Sequence, residues 1–280
     1  PMPHTENGTP RIYFETRGDP GNPPLVLIEG LGAQMIGWPE GFLNRLVDRG
    51  LYVITLDNRD VGLSEMMGRP EDVTVAYTLS DMAGDVCRVL DTLGLAAAHI
   101  AGQSMGGAIA QTLGIEMPAR VLSLTLIYTA AVFDASVITE EALGRKDLVP
   151  PANLTRDEAI ASYVDSQRPC ASTAYPFDEA RVAETGARSF DRAYRPDGIV
   201  RQTSAVMSSP DRRPALAVVT VPTAIIHGRA DRLIKEEASI EMAAIIKGAE
   251  LHLYPGMGHV VAEPLWDDFV AIIARTVGRA

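Results

Sequence analysis

The stretch Ala97-Ala98-His99-Ile100-Ala101-Gly102-Gln103-Ser104-Met105-Gly106-Gly107-Ala108-Ile109-Ala110-Gln111-Thr112-Leu113 decides the fold. Residues 97–101 read as a buried strand, and those after Ser104 as a helix. Between them, Gly102-Gln103-Ser104-Met105-Gly106 is a Gly-x-Ser-x-Gly pentapeptide in a sharp strand-to-helix turn. Such a turn holds its serine in a strained backbone conformation with the hydroxyl pointing out of the sheet. Without Cβ atoms at 102 and 106, strand and helix can approach closely. The helix N-terminus then favours negative charge developing at the serine. The pentapeptide alone is a common pattern, so its partners must be sought elsewhere in the chain.

Working outward, short apolar runs alternate with helical patterns. Residues 25–28, 52–56, 122–128, 223–227 and 250–254 are further strand candidates, and 11–16 reads as an extra strand. Continuous apolar strands suit a parallel sheet covered on both faces. Ser80 is positioned to cap a helix whose stripe is Met82, Val86, Val89, Leu90 and Leu93, stopped by Gly94. Residues 234–247 and 264–277 are further amphipathic candidates. The alternation implies a doubly wound, mostly parallel α/β sheet that binds ligands at the carboxyl ends of its strands. It breaks over 132–212, which contains Pro150-Pro151, scattered aromatics and helical pieces near 155–166 and 178–192. The expected division is a discontinuous core, 1–131 plus 213–280, with a helical cap at 132–212; the alternative is a surface excursion with no part in substrate binding.

A serine nucleophile needs a base and a group to orient it. Of five histidines, His4 lies in the N-terminal segment, expected to be flexible, His99 and His252 lie inside strand candidates, and His227 ends a strand before Gly228. His259 follows the last strand in the glycine-rich Pro255-Gly256-Met257-Gly258-His259, where it could reach Ser104. Asp231 follows the penultimate strand and could orient the base; an ordinary helix N-cap before Leu233-Ile234 is the other reading. The segment Asp57-Asn58-Arg59-Asp60-Val61-Gly62-Leu63-Ser64 is assigned to turn structure and hydrogen bonding.

In the order Ser104, Asp231, His259, with Gly256-Met257-Gly258-His259 and the 57–64 turn, the chain resembles the α/β-hydrolase family over nearly its whole length. Glu29-Gly30-Leu31-Gly32 with Gly37-Trp38-Pro39 is similar to the carboxylesterase and aclacinomycin-methylesterase-like branch. The resemblance implies a sheet of about eight strands, an acyl-enzyme on Ser104, and an oxyanion hole from the Leu31 and Met105 N–H groups. Many relatives carry histidine where this chain has Glu29, which puts the local hydrogen bonding in question. The implied activity is hydrolysis of carboxylic esters of small or medium apolar substrates, without metal or organic cofactor. Carbon–carbon bond hydrolysis, lactonase, thioesterase and perhydrolase chemistry stay open, as does a ligand receptor of the same fold. Enzymes of this fold with an aspartate nucleophile are excluded by the serine. Trp38, Phe133, Tyr163, Phe177, Phe190, Tyr194 and Met207 are the candidates for an apolar pocket.

Composition fits this reading. The 280 residues are 46% hydrophobic and 22% charged, enough for one large globular domain. A net charge of −11 argues against a nucleic-acid partner. The first ten residues hold no apolar run and no stretch reaches the length of a membrane span, so a cytoplasmic location without leader or membrane partner is expected. Two cysteines, Cys87 and Cys170, lack metal-ligand spacing and make a disulfide framework improbable. The sequence sets no oligomeric state.

Overall fold

The computed structural model describes residues 4–6, 8–69, 77–145 and 148–280; residues 1–3, on which the expectation of no leader partly rests, lie outside them. Seven strands form one sheet: β1 (Phe14–Arg17), β2 (Pro24–Ile28), β3 (Tyr52–Leu56), β4 (Ala98–Gln103), β5 (Val121–Ile127), β6 (Thr223–Gly228) and β7 (Glu250–Tyr254). Their order is β1-β3-β2-β4-β5-β6-β7. Only β1 is antiparallel, pairing Phe14 with Leu56 through Arg17 with Val53; every other pair is parallel. The expected count of about eight strands is therefore corrected to seven among the described residues.

Period-two alternation sends neighbouring residues of the central strands into separate cores. Leu25, Leu27, Val53, Ala101 and Ile226 face α1 (Glu40–Asp48) and α10 (Trp266–Val277). Val26, Ile28, Ile54, Ile100 and Ile225 face α2 (Leu79–Thr92) and α3 (Met105–Glu116). Both sides of these strands are thus dry, which is why they read as continuous apolar runs. The edge strand β7 is only half-buried. Helix α3 is buried almost all round, which suits its small residues Gly106, Gly107, Ala108 and Ala110.

The cap of α2 differs from the expectation. Thr78, not Ser80, accepts the Asp81 N–H, while Asp81 accepts from the Thr78 backbone in a reciprocal capping box. Ser80 lies inside the first turn and donates to Glu116 at 2.7 Å. His4 is engaged as well, its ring 5.1 Å from Tyr13.

Between β5 and β6 the chain leaves the sheet for four helices, α4 (Glu140–Leu143), α5 (Arg156–Gln167), α6 (Glu179–Arg192) and α7 (Pro196–Met207), before α8 (Arg213–Leu216) returns it. Helix α9 (Glu237–Ile245) lies between β6 and β7. Among the described residues, no helix is long and apolar enough to cross a membrane. Cys87 and Cys170 are both buried and are not joined in a disulfide.

Candidate active site

Ser104 sits between the last residue of β4 and the first of α3 with φ 54° and ψ −119°, a conformation that non-glycine residues rarely adopt. Such strain costs about 1–3 kcal/mol and persists only when the surroundings over-determine it. Here the Ser104 N–H donates to the Ile127 carbonyl at 2.9 Å, and the Ser104 carbonyl accepts the Thr129 hydroxyl at 2.7 Å. A Cβ at Gly102 would collide with the Gly106 carbonyl, and one at Gly106 with the Ile28 carbonyl. The glycines are therefore a steric condition of the turn. Gly107 is a third such position, since its Cβ would lie 2.6 Å from Thr129 Cγ2.

Asp231 follows β6 and divides its carboxylate between two tasks. Oδ1 accepts the N–H groups of Leu233 at 2.7 Å and Ile234 at 3.0 Å. Oδ2 meets His259 Nδ1 at 2.6 Å. The two readings of Asp231 are thus compatible, although the turn it caps is not the start of α9. His227, fully buried, approaches the same Oδ2 at 3.3 Å while bonding Ser239 Oγ at 2.7 Å and the Ile234 carbonyl at 3.0 Å. Burial pushes the Asp231 carboxyl upward, but His259 and His227 outweigh it and hold the group well below the usual carboxylate range. A carboxylate can only accept, so Nδ1 of His259 carries the proton and Nε2 is left as the acceptor. Ser104 Oγ makes no hydrogen bond to His259 in this structure; in unliganded sites such bonds are often formed only with substrate.

The loop after β2 completes the arrangement. A Cβ at Gly30 would lie 3.3 Å from Ser104 Cβ, so the backbone passes directly over the serine. Among the described residues, neither the Leu31 nor the Met105 N–H has an acceptor within the chain. The next N–H, of Gly32, donates to Gln202 Oε1 at 2.8 Å, and Gln202 donates in turn to the Arg59 carbonyl at 2.7 Å. Glu29 is 2% exposed, and burial pushes its carboxyl up to about 8.

The helices between β5 and β6 grip this site at two places. Asp57, fully buried, accepts from Met35 N–H at 2.8 Å and pairs with Arg192 of α6 at 3.0 Å. Asp60 pairs with Arg201 of α7 at 2.8 Å, and Arg201 also holds Asp197 at 2.7 Å. The 57–64 turn is present, with Ser64 Oγ donating to the Asp57 carbonyl at 2.6 Å, yet its carboxylates reach beyond it. On the other side, residues 171–174 lie against the His259 loop. Gly258 N–H donates to Ser172 Oγ at 3.0 Å, and Gly256 O accepts from Thr173 N–H at 2.8 Å. Gly258 has no room for a Cβ beside the Cys170 and Ala171 carbonyls.

Helix α7, with Arg201 and Gln202, escapes the sequence reading. Its signals are Pro196 at the first turn, and Asp197 and Arg201 at i,i+4 amid Ile199, Val200, Ala205 and Val206. The pocket candidates fare unevenly. Trp38 is a core residue, stacked on Phe42 with ring centroids 5.8 Å apart. Met207 is 52% exposed, because α7 turns its last residue to solvent. Phe177 lies under the exposed Arg168 guanidinium at 5.6 Å. None of these three placements by itself assigns the side chain to a substrate pocket. Phe133 packs against the core beneath Arg212, and Tyr194 packs on Phe190 while donating to the Pro151 carbonyl at 2.6 Å. Tyr163 is close enough to Glu29 and Cys170 that they add to the rise that burial gives its phenol. Among the described residues, no group of three or more His, Cys, Asp or Glu side chains is placed to hold a metal ion.

Known proteins similar to this chain carry hydrolase names. Rhodomycin D methylesterase DnrP of Streptomyces peucetius is 28% identical, over 95% of this chain and 94% of its own length. A 2-hydroxy-6-oxononadienedioate/2-hydroxy-6-oxononatrienedioate hydrolase of Klebsiella pneumoniae is 27% identical, over 97% of this chain and 92% of its own. The enol-lactonase from Burkholderia xenovorans LB400 superposes with a TM-score of 0.78 at 24% identity, covering 99% of this chain and 100% of that one. The family model described as alpha/beta hydrolase fold matches residues 23–263. With that match spanning most of its length, the chain belongs to the α/β-hydrolase family and is a hydrolase.

Proposed function

We propose that the protein hydrolyses carboxylic esters of small or medium apolar substrates through an acyl-enzyme on Ser104. Residues 132–212 form the cap over the site. His259 Nε2 takes the Ser104 hydroxyl proton as Oγ attacks the ester carbonyl carbon. The carbonyl π electrons move onto oxygen, where the Leu31 and Met105 N–H groups receive the charge. On collapse the C–O bond to the alcohol breaks, and the imidazolium returns its proton to the leaving oxygen. Water then attacks the acyl carbon, giving a proton to His259, and the acid departs as Ser104 recovers its hydrogen. Asp231 holds the imidazole in the Nδ1–H tautomer and stabilises its charged form.

One observation carries this reading: the positive-φ Ser104 at the head of α3 occurs together with the 2.6 Å Asp231–His259 hydrogen bond. The methylesterase relative makes a methyl ester the first substrate to try. The test is a panel of esters of graded acyl and alcohol size, with a vinylogous diketone as the carbon–carbon competitor, assayed on wild type and Ser104→Ala. The expected result is preferential ester turnover that Ser104→Ala loses by about 10⁴-fold or more while its unfolding transition is unchanged. Retained turnover in Ser104→Ala would refute the nucleophile, and preference for the diketone would replace the reaction.

A further inference from the structure

The three backbone pieces invoked above are joined by one chain of side chains, hydrogen-bonded from Glu29 to Tyr128 and completed by a ring contact with His259. Glu29 Oε2 accepts the Gly30 N–H at 3.2 Å and also an N–H of the Gln103 amide. The Gln103 side-chain Oε1 accepts the Tyr128 hydroxyl proton. The Val261 backbone, two residues beyond His259, lies close enough to offset part of the upward shift that burial gives this phenol. The Tyr128 ring lies against the His259 imidazole, with centroids 4.3 Å apart. Gln103 directly precedes Ser104, Glu29 lies two residues before Leu31, and Tyr128 directly follows β5 with φ 33°. The chain therefore ties the oxyanion loop, the serine turn and the histidine loop together.

We propose that Glu29, Gln103 and Tyr128 are positioning residues that fix these three loops relative to one another, and that the site reaches its full rate only while Glu29 is an uncharged carboxylic acid. The proposal rests on the ester-hydrolase reading above for its consequence on rate, though not for the chain itself. Glu29 is 2% exposed, its Oε1 is buried without a hydrogen-bond partner, and that oxygen faces Gly37, where a Cβ would lie 2.7 Å away. A buried carboxylate with one bare oxygen and no cation is far more costly than the neutral acid. The ionisable groups around it do not relieve this. Asp57, at the end of β3, is itself negative and opposes ionisation. Arg192 of α6 is occupied by Asp57 and by Gln34 Oε1 at 2.5 Å. Tyr128, just after β5, and Tyr163 of α5 are held neutral by burial, and Glu29 adds to their upward shift.

Burial accordingly holds the proton on Glu29 until about pH 8. Above that, a negative charge appears beside the N–H donors that must receive an oxyanion, and like charge opposes like. A serine–histidine pair alone gives a rate that rises with pH and levels off, whereas Glu29 adds a descending limb.

Three measurements test this. The kcat of wild type should fall as pH rises through about 8, while Glu29→Gln, compared with its own value at neutral pH, should stay level. Tyr128→Phe, which keeps the ring and loses the hydroxyl, should lower kcat by about tenfold with little change in KM. Infrared titration of the Ser104→Ala protein should show a protonated carboxyl stretch at pH 7 that disappears through about pH 8 and is missing when Glu29→Gln is added. The inference is overturned by an identical descending limb in Glu29→Gln, by an unchanged kcat in Tyr128→Phe, or by no protonated carboxyl at pH 7. The infrared arm involves no turnover, so it separates failure of this inference from failure of the ester-hydrolase reading.

Discussion

The serine turn and the histidine loop are held in place by different parts of the molecule. The serine turn is made by the sheet and α3: its glycines have β2 or α3 backbone where a Cβ would go, and its amide bonds to β5. The histidine loop leans on the segment between α5 and α6, inserted between β5 and β6: Gly258 N–H ends on Ser172, and Gly256 O receives Thr173. In the proposed mechanism, the nucleophile is therefore fixed by the core, and the base by the same insertion that covers the substrate. A change in the cap that alters specificity should also disturb proton transfer, while leaving the serine's backbone strain intact.

The largest effect expected is chemical. Asp231→Asn should lower kcat by about 10⁴-fold, because the amide no longer enforces the Nδ1–H tautomer; a loss under tenfold in steady-state assays would remove Asp231 from the machinery. Next comes Gly106→Ala, which forces a methyl into the Ile28 carbonyl on both a buried strand and a buried helix. It should destabilise the fold by about 3 kcal/mol or more in urea unfolding. Gly258→Ala meets the Cys170 and Ala171 carbonyls instead, which lie on the insertion and not on the sheet. It should cost about 1–2 kcal/mol but depress kcat strongly. Equal stability losses at the two glycines would erase the contrast between the regions. Ser172→Ala sharpens it further, with about 1 kcal/mol lost and a kcat about tenfold lower.

The smallest effects are in pH dependence. Folding lowers the Asp231 pKa, so the folded state binds fewer protons in the acid range. The stability this gives is complete above the ordinary carboxylate pKa and is lost as pH falls below it. Glu29 is the opposite case: folding raises its pKa from 4.5 to about 8, so its contribution is complete below the lower value and lost as pH rises to the higher. Thermal melts across pH should show Asp231→Asn flattening the acid side and Glu29→Gln the alkaline side; a Glu29→Gln profile parallel to wild type would argue against a buried neutral acid.

The same contrast explains what could be read from the sequence. Strands β2 to β6 and the serine turn are dictated by local rules: apolar runs between covered faces, and glycines where backbones touch. The positions of Asp231 and His259 at strand ends follow from that framework. The insertion obeys no such regular pattern. Its anchors are buried ion pairs from Arg192 and Arg201 to Asp57 and Asp60, each more than 130 residues away in sequence, and their partners leave no periodic trace. Trp38, buried in the core, and Met207, 52% exposed, differ for a related reason: which way a side chain points depends on where a helix lands, and apolar character alone does not say.

The most direct test of the central claim is the covalent intermediate itself. Wild-type protein mixed with an activated aryl ester and acid-quenched within one turnover should gain the mass of one acyl group, and peptide mapping should place it on Ser104. The Ser104→Ala protein should gain none. Turnover without any adduct under conditions where deacylation limits the rate, or an adduct mapped to another residue, would contradict the account.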